Sequence, residues 1–152
     1  MKSQLQSHSQ MKTILLTAFF FLATFNFLHG QSRCDTRKDM IFFVTEYMPK
    51  SNITLDELET ILNREIDISG FAMPQGNMIY LSFIINCNGE AFDYQFLRPV
   101  DGKLQNKILE IVKSNMTWKA GSQHGRLVDV QKTMSIKIKN SKFKIQQERR
   151  LK

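Results

Sequence analysis

Few side chains in this sequence have the type and spacing for covalent chemistry. Downstream of residue 30 there is one histidine, His124, in the stretch Gly121–Arg126. One imidazole offers no second ligand for a metal pair, and the chain carries neither a phosphate-cradling glycine loop nor a nucleophile elbow. The acids Asp56, Glu57 and Glu59 are close enough in sequence to be read as paired carboxylates for acid–base work. They follow Thr54, however, and Thr54-Leu-Asp-Glu57 has the spacing of a capping box. First-turn acids also favour the positive end of a helix dipole. The carboxylates therefore read as the start of a helix. The chain is not read as an enzyme and is expected to need no cofactor and no metal.

The two cysteines carry a different chemistry, and its meaning depends on where the chain goes. Lys12 precedes an apolar run from Ile14 to Leu28, and no acid occurs before Asp35. His29-Gly30-Gln31-Ser32 then supplies a small residue at a cut site. These are the parts of a secretory signal peptide. The run is about 15 residues, short of the roughly 20 that a membrane-spanning helix needs. Residues 1–30 are read as a cleaved signal, with an uncleaved anchor as the other reading. Export to an oxidising compartment lets Cys34 and Cys87 pair. That bridge would close a loop of about 50 residues, worth about 3–4 kcal/mol in the chain-entropy model. Two unrelated thiols is the alternative.

Binding chemistry comes next. Lys and Arg number 21 against 14 Asp and Glu, a formal net charge of +7, and 42% of residues are hydrophobic, 12 of them Phe. So apolar a chain can build one core. The basic balance suits nucleic acid, an anionic surface, an acidic partner or simply a solvated surface. Phe143 and Ile145 interleave with Lys142, Lys144, Arg149 and Arg150, but export argues against nucleic acid. Residues 146–152 read as a basic flexible tail. Asn52-Ile-Thr54 and Asn115-Met-Thr117 match glycosylation sequons, a pattern that chance often produces.

The elements that would position these groups are legible from periodicity. Met40, Phe43, Val44 and Tyr47 fall at i, i+3, i+4 and i+7, which predicts a helix from Asp35 to Met48. A second helix follows Thr54, carrying Leu58, Ile61 and Leu62, so residues 35–66 form an N-terminal helical segment. Ile79, Leu81, Phe83 and Ile85 alternate in one run, and Phe92, Tyr94 and Phe96 in the next. Asn88-Gly89 between them predicts a hairpin with a type I′ turn. Leu104, Ile108, Ile111 and Val112 make the stripe of a helix from Lys103 to Asn115. Trp118 follows, either a core residue or a stacking platform.

The last strand runs from Leu127 to Lys139. Val128, Val130, Met134, Ile136 and Ile138 share one parity. Asp129, Gln131, Thr133, Ser135 and Lys137 share the other, and Lys132 alone breaks the apolar face. Phe143 and Ile145 shift parity, which predicts a bend at Asn140-Ser141 and a segment able to fold back on the strand. The expected fold class is α+β: a three-stranded antiparallel sheet built as hairpin, helix and strand, with helices on one face and two preceding helices.

In this order, residues 76–145 resemble the C-terminal domain of the TonB energy-transducer family. The resemblance rests on the strand Gly76-Asn-Met-Ile-Tyr-Leu-Ser-Phe-Ile-Ile-Asn86, the Asn88-Gly89 turn, the strand to Phe96 and the helix from Leu104. It also rests on Met116-Thr-Trp118-Lys-Ala120, Gly125 and the strand Val128–Ile138. Lys119 stands where the family has proline. The family pairs its last strand with a short N-terminal segment of an outer-membrane receptor. The resemblance thus implies a module that binds an envelope protein, in a transport role, by strand addition along Leu127–Ile138. With three prolines and no proline-rich linker, a freestanding periplasmic domain fits better than a full transducer. A small secreted interaction protein without a transport role and a short anchored transducer are the alternatives, and a homodimer stays open.

Overall fold

The computed structural model describes Cys34 and residues 40–146. The expected signal peptide at 1–30, residues 35–39 and the tail beyond Gln146 lie outside the described residues. The elements in order are β1 (Ile41–Phe42), β2 (Lys50–Ser51), α1 (Leu55–Glu65), β3 (Met78–Ile85), β4 (Ala91–Phe96) and α2 (Gly102–Asn115), followed by β5 (Trp118–Lys119), β6 (Gly121–Gln123), β7 (Arg126–Lys139) and β8 (Lys142–Gln146).

The local signals act as their chemistry predicts. Thr54 Oγ1 accepts from the Glu57 N–H at 3.1 Å, and Glu57 Oε2 accepts from the Thr54 N–H at 2.7 Å. Both bonds of the capping box at α1 are present. The bond from the Thr54 backbone, helped by its hydroxyl, holds the Glu57 carboxyl below its ordinary pKa. Asp101 caps α2 by accepting from the N–H groups of Lys103 and Leu104. Leu58 and Leu62 of α1 and Leu104, Ile108, Ile111 and Val112 of α2 enter one core with Ile79, Leu81, Phe83 and Ile85 of β3.

The sheet is larger and more mixed than a three-stranded antiparallel one. It has six strands: the path β1-β7-β3-β4, with β6 and β8 also paired to β7. β4, β3 and β7 are antiparallel neighbours, whereas β1 runs parallel to β7. β2 and β5 form a separate pair. The molecule is therefore α+β with two α-helices among the described residues and a multi-stranded mixed sheet. No described helix is long and apolar enough to cross a membrane.

The helix expected from Asp35 to Met48 is overturned over residues 40–48, which are extended or bent. Ile41 and Phe42 lie beside Asp129 and Val130, and Tyr47 bridges to Ser122. Lys50 and Ser51 continue that antiparallel register opposite Lys119 and Trp118. Pairing with strands more than 65 positions away outweighs a local helical spacing. The stripe that suggested the helix is not buried: Phe43, Val44 and Tyr47 are 69%, 80% and 70% exposed.

The type I′ turn at Asn88-Gly89 is also corrected. Gly89 has φ 84°, but Asn88 is not among the residues with positive φ. The Gly89 N–H bonds the Asn86 carbonyl, and the Asn86 N–H bonds the Glu90 carbonyl, each at 2.9 Å. That is a three-residue loop, a turn closed by a left-handed glycine. The Asn86 side chain explains it, because its Oδ1 accepts from both the Asn88 and Glu90 N–H groups. Two-residue turns with both φ positive occur instead at His124-Gly125 and at Asn140-Ser141. The latter is the expected bend, and it folds β8 back onto β7.

Candidate strand-pairing site

The two sides of β7 decide what this sheet can do. One side is filled: Val130–Lys137 pairs with Met78–Ile85 of β3 without a break. Leu97 N–H donates to the Tyr80 carbonyl and Asn86 N–H to the Glu90 carbonyl. The even-numbered residues of β3 therefore turn their main-chain groups to β4, and the odd-numbered ones to β7. In the facing ladder Val130, Lys132 and Met134 point at β3, while Asp129, Gln131, Thr133 and Ser135 point away from it.

The expected free edge along Leu127–Ile138 is mostly occupied by the chain itself. β1 lies against Asp129 and Val130 and β8 against Ser135–Lys139, while β6 pairs with Arg126–Val128 on the side that faces β3. Cys34 bridges to Leu127 on the outer side, opposite β6. What remains is a window, Gln131–Met134, between the end of β1 and the end of β8. At its centre Thr133 sits opposite Ser82 in a pair that exchanges no ladder bond, so its N–H and C=O face outward. Among the described residues no strand meets them. Of the residues expected to pair with a partner, Thr133 and its neighbours Gln131, Lys132 and Met134 keep an opening. Leu127–Val130 and Ser135–Ile138 do not.

β8 has its own outer edge sealed by α1. Asn63 of α1 donates from Nδ2 to the Phe143 carbonyl at 3.0 Å and accepts from the Phe143 N–H at 2.8 Å. One helical turn earlier, Glu59 accepts from the Ile145 N–H at 3.0 Å and pairs with Lys144. Burial opposes ionisation of Glu59, but Lys144 and the Ile145 N–H outweigh it and hold the carboxyl below its ordinary pKa. The hydrogen bond to Glu59 in turn raises Lys144. Phe143 is 1% exposed, so β8 is anchored from both its edge and its face. The catalytic reading of Glu57 and Glu59 is left with little to support it, since both carboxylates are committed to main-chain donors.

The remaining sequence candidates fall around this strand. Cys34 and Cys87 form a disulfide, with Cα atoms 5.5 Å apart. Cys87 also donates its N–H to Asp129 Oδ1 at 2.9 Å, which ties the hairpin turn to β7. Lys132, the exception in the apolar face, places its ammonium 6.0 Å from the centre of the Trp118 ring. Trp118 packs its ring 5.5 Å from that of Phe83, as a core residue would. Its indole Nε1 is the one buried side-chain polar atom without a partner among the described residues. His124 lies at the tip of the β6–β7 hairpin, 82% exposed at the side chain and 3.7 Å from Glu46.

Sequence reasoning missed the loop after β1. Glu46 N–H donates to Gln123 Oε1, the His124 N–H donates to Glu46 Oε2, and Tyr47 exchanges both main-chain bonds with Ser122. Thr45 is buried and its hydroxyl donates to the Tyr47 carbonyl at 3.0 Å. The backbone is fastened while Phe43, Val44 and Tyr47 stay exposed. Gln123-His-Gly-Arg126, a two-residue glycine turn, was the signal for the hairpin that fastens it. No family model, no curated protein and no solved structure matches this chain.

Proposed function

We propose that this chain is an exported, periplasmic interaction module of the TonB C-terminal kind. It takes a short extended segment of an envelope protein, such as an outer-membrane receptor, by strand addition to β7. The order hairpin, helix, last strand and the position of β7 beside β3 support the reading. The single observation that carries it is the window at Thr133, where outward main-chain groups meet no described strand.

The window limits what pairing alone can supply. Thr133 offers a donor and an acceptor, and the Gln131 carbonyl adds a third group. At about 0.5–1.5 kcal/mol net per bond they yield roughly 2–4 kcal/mol. Association costs about 4–15 kcal/mol. Main-chain pairing at the window therefore sets register and direction, and side chains around it must supply the rest of the affinity.

Synthetic peptides matching the N-terminal segments of outer-membrane receptors provide the test. The Thr133 amide should exchange quickly in the free protein and become protected on peptide binding. Thr133→Pro removes an outward donor without taking a bond from the β3 ladder, so a folded Thr133→Pro should lose the peptide while Ser135→Ala keeps it. Peptide binding to folded Thr133→Pro at unchanged affinity sinks the proposal. One observation favours a second site. β4 pairs only with β3 among the described residues, so its outer side is open. The register shift opposite Ser82 and Ile84, with Asp93 at φ 51°, breaks that edge in the middle. Protection of the Phe96 amide instead of Thr133 would identify it.

A further inference from the structure

The window and the start of the exposed apolar loop after β1 are neighbours along the sheet. Phe42 lies opposite Val130, the last paired residue before the window, and Phe43 and Val44 follow it directly. A strand entering the window meets β8 at one end. At the other it meets the bend where Phe43 and Val44 leave the sheet. Exposed large apolar residues on a loose loop would mean little. Here the loop is held by main-chain bonds from Tyr47 to Ser122, by the Glu46–Gln123 and Glu46–His124 contacts, and by buried Thr45. A fastened backbone that keeps aromatic and branched side chains in water forms a pre-organised contact surface.

We infer that Phe43 and Val44 form the side-chain anchor for the strand-adding partner. The recognised segment is a short extended stretch, about four residues long where it pairs with Gln131–Met134. It carries a bulky apolar or aromatic residue at the end that abuts Phe43. This rests on the strand-addition reading above and gives it the partner's chemistry. Few main-chain groups are open in the window, so a partner without that residue would bind weakly. β1 blocks any longer pairing toward Asp129, so the chain of the partner must turn out of the sheet where the apolar loop stands.

The test uses three synthetic peptides of alternating Thr and Val, four residues long, with Trp at the N-terminal end, at the C-terminal end, or absent. Binding is followed by titration of the Thr133 amide signal. One Trp peptide should bind at least tenfold tighter than the Trp-free one, and Phe43→Ser/Val44→Ser should remove that gain. Leu97→Ser, an exposed apolar residue at the end of β4, should leave it intact. Equal affinity of all three peptides, each perturbing Thr133, overturns the anchor while strand addition survives. If none perturbs Thr133, both readings fail together. Should Phe43→Ser/Val44→Ser convert a dimer to a monomer in sedimentation, the surface belongs to a second copy and the inference is wrong. Deletion of residues 147–152 that alone uncovers the Thr133 amide would make the chain's own tail the occupant, which also overturns it.

Discussion

Gly89→Ala should be the most costly single-methyl change in the domain, for two separable reasons. The first is conformational: φ is 84°, a left-handed geometry that costs an L-residue about 1–2 kcal/mol. The second is steric. A Cβ built on Gly89 overlaps the carbonyl oxygen of Trp118 and lies 3.3 Å from its carbonyl carbon. That carbonyl belongs to β5, which pairs with β2, so it cannot swing away as a flexible side chain would. Forcing extra volume against fixed backbone costs about 1–3 kcal/mol. The sum is about 2–5 kcal/mol. Gly125 separates the two parts: its φ is 73° and a Cβ there meets nothing within 4 Å. Gly125→Ala should cost about 1–2 kcal/mol. With a urea m-value of about 1–3 kcal/mol/M, Gly89→Ala should lower the midpoint by about 1–2 M, and Gly125→Ala by clearly less. Equal losses for the two variants would show that the turn does not press on Trp118. An unchanged midpoint for Gly89→Ala would remove the left-handed glycine as well.

Three further outcomes are expected. Asn63→Ala strips the Phe143 N–H and C=O of their partners, costing about 1–3 kcal/mol, and the Phe143 amide should exchange faster while Leu81 in β3 keeps its protection. Thiol counting under denaturant should find no free cysteine in the exported protein, and reduction should destabilise it by about 3–4 kcal/mol; two free thiols would end that expectation. Because the Glu59 carboxyl titrates below its ordinary value in the folded chain, its contribution is present above the unfolded pKa of about 4.3 and is lost as pH falls through the folded one. Stability measured from about pH 6 down to about pH 2.5 should therefore drop on the acid side, with a smaller drop in Glu59→Gln.

How much the sequence could say depended on whether the deciding partner was near or far along the chain. The Thr54–Glu57 box, the Asp101 cap and the stripes of α1 and α2 are settled within one helical turn, and they stand as read. The alternation of β7 survives because that strand buries one face in the core, whereas β3 is buried on both faces from Leu81 to Ile85. The stretch Met40–Tyr47 misleads because its helical spacing carries no burial: its partners are Asp129, Val130 and Ser122, far away in sequence. The turn at Asn88-Gly89 misleads because a side chain two positions earlier, Asn86, reorganises the loop. The last strand has the expected pattern and the Asn140-Ser141 bend announces β8, but no local pattern reveals that β1 joins its outer side. The window at Thr133 is what the β8 hairpin and one distant pairing, with β1, leave over. That is why it could be found only with the register in hand.

The contact between α1 and β8 has a use outside this molecule. Glu59 and Asn63 are four residues apart on a helix, a rise of about 6.0 Å. Ile145 and Phe143, which they serve, are two apart on a strand, about 6.8 Å. The two repeats nearly coincide over one step, and the mismatch of about 0.8 Å would double if a second were added. A helix can therefore close a sheet border with two side chains but not with a longer row. An engineer who wants to stop sheets from joining end to end could transplant this device: a carboxylate and a carboxamide one turn apart, laid beside a strand of about five residues. The length of β8 suits that limit, at five residues. A longer strand at the same place would outrun its helix and leave amides bare for the next molecule.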